Sequence, residues 1–181
     1  MNNRRVSMIQ LFTPDYYIHS FTALRPKYLK EHGIKLLACD IDNTLVAHDE
    51  QLPDELVIQF IEEMRNEGIQ IVFISNNVEE RVKRFADYFA ADFYSFAMKP
   101  LPITYRKLLR RYHVQKKEVA VLGDQLLTDI LGANFMGLHT ILTAPRVTRD
   151  LSFTKVNRII ESVIFKLLKV TKRLRKGEYD A

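Results

Sequence analysis

Cysteine is scarce. The single Cys39 among 181 residues cannot close an intramolecular disulfide, which predicts a reducing compartment. Only six glycines and six prolines are present, so collagen-like, linker-like and low-complexity chains are excluded. No apolar run approaches the ~20 residues needed to span a bilayer. The basic start Met1–Arg5 is followed by Gln10, Pro14 and Asp15, which argues against a signal peptide. What is present is a globular balance of 47% apolar and 27% charged residues. That suits one well-buried domain, expected in the cytoplasm.

The net charge of +5 is uneven. Lys155, Arg158, Lys166, Lys169, Lys172, Arg173, Arg175 and Lys176 stand against one acid, Glu161, so this segment carries +7 and the rest of the chain −2. An acidic partner, whether lipid or nucleic acid, is therefore expected to meet the tail.

Residues 34–145 alternate between strand and helix patterns. Five strands are predicted: Ile34–Cys39, Ile69–Ile74, Phe93–Phe96, Glu118–Leu122 and Leu138–Leu142. Between them, Leu56, Val57, Phe60, Ile61 and Met64 recur at helical spacing, with Pro53 before and Gly68 after. Asn77 and Glu80 resemble a capping box for a helix bearing Val82, Phe85 and Phe89. Pro102 opens a third helix, and a fourth follows Gly123. Such alternation implies an α/β, Rossmann-like three-layer sandwich around a mainly parallel five-stranded sheet. The expected organisation is a helical flank over 1–33, a core over 34–150 and a basic amphipathic helix over 151–181.

Ligands of open parallel sheets bind beyond the carboxyl ends of the strands. Here those ends carry Asp40-Ile-Asp42-Asn-Thr44, Ser75-Asn-Asn77, Lys99-Pro100 and Gly123-Asp124 with Asp129 following. Alone, an Asp-x-Asp is often a turn or helix cap, and a Lys-Pro says little. Together and in order they predict one crevice where several carboxylates, relieved by a cation, meet a lysine and a small hydroxyl. All-oxygen ligation suits Mg²⁺, with Lys99 and Ser75 on the remaining oxygens of a phosphate. An Asp carboxylate can attack phosphorus covalently.

These four motifs resemble those of the haloacid dehalogenase (HAD) superfamily of aspartate-nucleophile phosphotransferases. Within it, Asn43, the Lys99-Pro100 pair and the run from Gly123 to Asn134 look like the YqeG-type IIIA phosphatases, which are similar to phosphatidylglycerophosphate phosphatases. The resemblance implies Asp40 as nucleophile and Mg²⁺ ligand, and Asp42 as general acid/base that also binds the metal through its backbone carbonyl. It implies Asp124 as the third metal ligand, supported by Asp129. Ser75 and Lys99 would hold the phosphoryl group, with Asn76 and Thr44 beside it, Thr44 orienting the nucleophile loop. Asp42 and Ser75 are 33 residues apart and Ser75 and Lys99 are 24 apart. A helix and a strand fill each gap, so the inserted cap of many such enzymes has no room. An open cleft suits a macromolecule or a lipid headgroup.

The tail predicts an amphipathic helix at ~100° per residue. One broad face carries Val156, Ile159, Ile160, Val163, Ile164, Leu167, Leu168, Val170 and Leu174, the other the basic residues, with Phe165 and Arg175 off pattern. Two readings stand: peripheral contact of 153–176 with anionic phospholipid on the inner face of the membrane, or packing on the core. The resulting expectation is Mg²⁺-dependent removal of phosphate from phosphatidylglycerophosphate. The alternatives are a capless phosphatase for a nucleic-acid end, phosphoprotein or small phosphometabolite, and a non-enzymatic phosphate- or RNA-binding module. Nucleic acid is disfavoured because Phe165 is the tail's lone aromatic within the helix.

Overall fold

The computed structural model describes residues 8–147, 155–171 and 174. Six parallel strands form one open sheet: β1 (Tyr16–Ile18), β2 (Leu36–Cys39), β3 (Gln70–Ile74), β4 (Asp92–Tyr94), β5 (Val119–Gly123) and β6 (His139–Thr143). Their order is β1-β6-β5-β2-β3-β4. The expected α/β class holds, with one strand more than expected. That strand comes from the N-terminal flank. It is only three residues long, below what periodicity detects, and its parallel pairing with β6 is reinforced by side chains: Thr140 N donates to Asp15 Oδ2 at 2.8 Å and Asp15 N to Thr140 Oγ1 at 3.0 Å.

Strand alternation divides the core. Leu37, Cys39, Ile71, Phe73 and Leu122 face one layer with α1 (Pro26–Glu31), α2 (Glu55–Asn66) and α3 (Glu79–Tyr88). Leu36, Ala38, Val72, Ile74 and Val121 face the other with α4 (Ile103–Tyr112) and α5 (Leu131–Met136). Cys39 is fully buried among apolar side chains, on the face away from α4. No inserted domain separates β2 from β3 or β3 from β4 among the described residues, so no cap of that kind covers the carboxyl ends of the strands.

Two helix starts differ from the expectation. At α3 the N-cap is Val78 and no side chain caps it. The Asn77 amide is engaged elsewhere, donating from Nδ2 to Asp42 at 3.1 Å. Before α5 the chain makes a π-helical turn over Leu126–Ile130, a wide coil common at functional sites.

The C-terminal helix α6 (Lys155–Val170) packs on that turn. Leu168 is fully buried beside Leu126, Ile130 and Leu142, with Ile164 and Phe165 alongside. Glu161 accepts a hydrogen bond from Leu127 N at 3.0 Å. Ile160, Val163, Leu167 and Val170 stay exposed. The expected broad apolar face is therefore divided, and Phe165 belongs to the packed half. Lys172, Arg173, Arg175 and Lys176 lie outside the described residues, as do the side chains of Lys155 and Arg158. No helix among the described residues is long and apolar enough to cross a membrane.

Candidate active site

Asp40 sits where β2 runs out. Its N–H donates to Leu122 O at 2.9 Å, extending the β2–β5 ladder by one residue. The chain then turns through Asn43, whose φ of 64° is a left-handed geometry that Asn tolerates. The Asn43 side chain accepts from Val147 N at 3.0 Å, which pins the segment after β6 to this turn.

Lys99 reaches Asp40 from the loop between β4 and α4. Its ammonium donates to Asp40 Oδ1 at 2.6 Å, Asp129 Oδ1 at 2.6 Å and Ile74 O at 3.1 Å. Three N–H groups thus have three acceptors, and lysine and both carboxylates are buried. Asp124, at the end of β5, accepts from Thr44 Oγ1 at 3.1 Å. Oxygens of Asp40, Asp124 and Asp129 all lie within 4.8 Å of one another.

Crowding governs the titration. Burial pushes Asp40 up to about 7, against the pull of Lys99 and with the help of Asp129. Burial and the charges of Asp40 and Asp129 raise Asp124 well above the usual carboxylate range. For Lys99 burial works downward, but Asp129 and Asp40 outweigh it and hold the ammonium above its ordinary value. Fully ionised, the three carboxylates and one ammonium would carry two negative charges, which is why burial and mutual repulsion favour protons on Asp40 and Asp124. A hard divalent cation would neutralise that charge, and the all-oxygen donor set of Asp40, Asp124 and Asp129 fits one.

A pH dependence follows. Without a cation, the native protein keeps a proton on Asp40 that the unfolded chain has released, between about pH 4 and about pH 7. Stability of the metal-free protein therefore falls as pH rises through that window, by at most ~1.4 kcal/mol per unit for one proton. A bound divalent cation replaces the proton, so it raises the melting temperature more at about pH 8 than at about pH 5. Calorimetry with and without the cation at both values checks this, and equal shifts would contradict it.

Residues 10–137 match the family model described as haloacid dehalogenase-like hydrolase. The chain belongs to this family. It is also 38% identical over 168 residues to the Bacillus subtilis (strain 168) protein named "Probable phosphatase YqeG", covering 93% of this chain and 95% of that protein. Solved structures with the same fold include the cobalt-bound deoxy-D-mannose-octulosonate 8-phosphate phosphatase (YrbI) of Haemophilus influenzae. Its TM-score is 0.53 at 16% identity, covering 76% of this chain and 90% of that one. NagD from E. coli K-12 has a TM-score of 0.52 at 16% identity, covering 67% and 94%. The expected class, an HAD-type phosphatase, is thus the class of this chain.

Other residues of the HAD motifs take distinct places. The Asp42 carboxylate stands outside the acid cluster. It accepts from Ser75 Oγ at 3.2 Å and Asn77 Nδ2 at 3.1 Å, and pairs with Arg81 through Nε at 2.7 Å and Nη2 at 2.6 Å. His48 Nδ1 is 3.7 Å from it. Asn76 clamps the lysine loop: Lys99 N donates to its Oδ1 at 2.8 Å and its Nδ2 to Lys99 O at 3.1 Å. Thr44 is fully buried against Asp124. Sequence reasoning missed Arg81. Its signal was position: it lies in the first turns of a helix that opens at the carboxyl edge, four residues after Asn77.

Two glycines of the fourth motif make close approaches. A Cβ on Gly123 would come within 2.3 Å of the Asp129 side chain, so this glycine lets Asp129 fold back towards Lys99. A Cβ on Gly132 would come within 2.8 Å of Pro100 O, bringing α5 into conflict with the lysine loop. Gly132→Ala is expected to cost ~1–3 kcal/mol through overpacking. That lowers the melting temperature by roughly 3–10 °C in a thermal scan, and activity falls with it because Lys99 moves.

Proposed function

We propose that the protein hydrolyses a phosphomonoester with Mg²⁺ through an aspartyl-phosphate on Asp40. The observation that carries this reading is the buried Asp40 at the end of a central strand, sharing Lys99 with Asp129 and lying beside Asp124. In the first half-reaction an Asp40 oxygen attacks phosphorus, the bond to the leaving oxygen breaks, and Asp42 delivers a proton to that oxygen. In the second, Asp42 takes a proton from water as the water attacks phosphorus, freeing phosphate and the Asp40 carboxylate. Arg81, Ser75 and Asn77 orient Asp42 for both transfers. Asp40, Asp124 and the Asp42 backbone carbonyl would hold Mg²⁺, with Asp129 in support, and the ion would neutralise charge building on the phosphoryl group. Ser75, Lys99, Thr44 and Asn76 would line the phosphate position. An intact Asp40-Asp42 pair weighs against a non-enzymatic phosphate- or RNA-binding module.

The substrate proposed is phosphatidylglycerophosphate met at a membrane surface. The absence of an inserted cap supports it, and so does α6: Ile160, Val163, Leu167 and Val170 form an exposed stripe at helical spacing with Lys166 and Lys169 exposed beside it. Phosphate release with Mg²⁺ from vesicle-borne phosphatidylglycerophosphate, small phosphomonoesters, phosphopeptides and 5′-phosphorylated oligonucleotides tests the reading. The lipid is expected to give the highest kcat/KM by at least about tenfold. A soluble substrate in first place would overturn the lipid assignment, leaving the chemistry intact.

A further inference from the structure

We propose that the loop bearing Lys99 is a docking surface for an anionic bilayer, so that the mouth of the catalytic cleft itself meets the lipid. The inference rests on the reading that substrate is presented on a lipid surface, and it adds a contact distinct from α6.

The loop after β4 sorts its residues by alternation. Ala97 and Lys99 are drawn inward, Ala97 N donating to Ser75 O at 3.0 Å and Lys99 N to the Asn76 side chain. Phe96 and Met98 consequently point out, 60% and 51% exposed, and Leu101 and Ile103 follow at 51% and 40%. Val78, 50% exposed, stands on the neighbouring loop, joined to this one by Phe96 N donating to Asn77 O at 3.0 Å. Five apolar side chains thus surround the loops that carry Ser75 and Lys99. Phe96 and Met98 also hold left-handed φ of 43° and 53°, costing roughly 1–2 kcal/mol each for residues with a Cβ. Strain that turns large apolar groups towards water destabilises the free protein and marks an interaction surface.

The surrounding charge selects the occupant. From Ser95 to Tyr112 there is no Asp or Glu. On α4, Arg106, Lys107 and Arg110 are exposed at three, four and seven residues from Ile103, so they share its face. Glu79 and Glu80, exposed after Val78, are outnumbered by Arg106, Lys107 and Arg110, and an apolar tip backed by that basic stripe of α4 complements a layer that is anionic at its surface and apolar beneath. A second copy docked by two-fold symmetry would instead bring the basic stripes towards each other.

The chain contains no tryptophan, so Phe96→Trp gives a single reporter. Its emission is expected to move to shorter wavelength with phosphatidylglycerol/phosphatidylcholine vesicles and to stay unchanged with pure phosphatidylcholine. A Tyr88→Trp reporter, at the far end of α3, is expected to stay unchanged with both. Vesicle co-sedimentation of F96S/M98S/L101S should fall by at least about tenfold, and that of R106Q/K107Q by roughly three- to tenfold, weakening further with salt. Hydrolysis of vesicle-borne substrate by the triple-serine variant falls in step, whereas a small soluble phosphomonoester is still turned over. No shift with anionic vesicles, or full binding by the triple-serine variant, would overturn the proposal. So would a shift that grows with protein concentration in the absence of lipid, since a second copy would then be the occupant. The two readings fail separately: a shifted reporter without lipid-phosphate hydrolysis sinks the substrate assignment alone, and hydrolysis with an unshifted reporter sinks the docking alone.

Discussion

Asp40→Asn is expected to lower phosphate release by ~10⁴-fold or more while leaving the fold intact. The amide keeps the shape of the carboxylate but has no anionic oxygen to attack phosphorus. Loss of activity through unfolding is separable, because the charge ledger runs the other way. Asp40 shares Lys99 with Asp129, and Asp124 lies within 4.8 Å. Removing one of three crowded negative charges relieves repulsion, so the metal-free variant should melt at or above the temperature of the unaltered protein. Acid quenching during turnover should trap protein-bound phosphate in the unaltered enzyme and none in the variant. Activity persisting in a folded Asp40→Asn protein would break the nucleophile assignment, whichever substrate proves best.

Lys99→Met is expected to damage stability most. The ammonium is the shared partner of two buried carboxylates and also satisfies the Ile74 carbonyl. Removing one member of a buried ion pair strands its partner, at a cost of ~3–5 kcal/mol. For a chain of this size that lowers the melting temperature by roughly 6–20 °C. The site is then more negative, so a divalent cation should restore more of the melting temperature here than in the unaltered protein. Turnover should stay reduced by ~10²–10³-fold even with the cation, since a fixed positive charge beside the phosphoryl position is gone. Thermal scans paired with phosphate-release assays distinguish the two effects, and a metal-free variant as stable as the unaltered protein would refute this account of the cluster.

The strongly periodic parts of the fold were legible. The strands at Leu36–Cys39, Gln70–Ile74 and Val119–Gly123 are buried on both faces and read as short apolar runs. The order of the motifs placed Asp40, Lys99, Asp124 and Asp129 at one edge, because ends of parallel strands lie side by side. What escaped were features set by long-range hydrogen bonds. The edge strand Tyr16–Ile18 is reinforced by Asp15 meeting Thr140, 125 residues away. Asn77 reads as a cap for α3, yet its amide finds Asp42, a stronger acceptor that no local pattern reveals. Nothing local singles out Arg81 among the charged residues of α3. The tail's apolar face was visible, but how much of it the core covers depends on Leu126, Ile130 and Leu142, residues distant in sequence.

Asn134, last residue of the fourth motif, lies on α5 beyond the π-helical turn and binds towards the N-terminal segment. Its Nδ2 donates to Leu11 O and Thr13 O, both at 2.9 Å, and its Oδ1 accepts from Thr140 at 3.1 Å. The opening residues are thus moored to the segment that presents Asp129. A chain trimmed to begin at residue 34 would bare the flank of β6, leave that amide without its carbonyls, and loosen the π-helical turn behind the acid cluster. Damage inflicted on the leading segment should therefore register first as weaker cation binding.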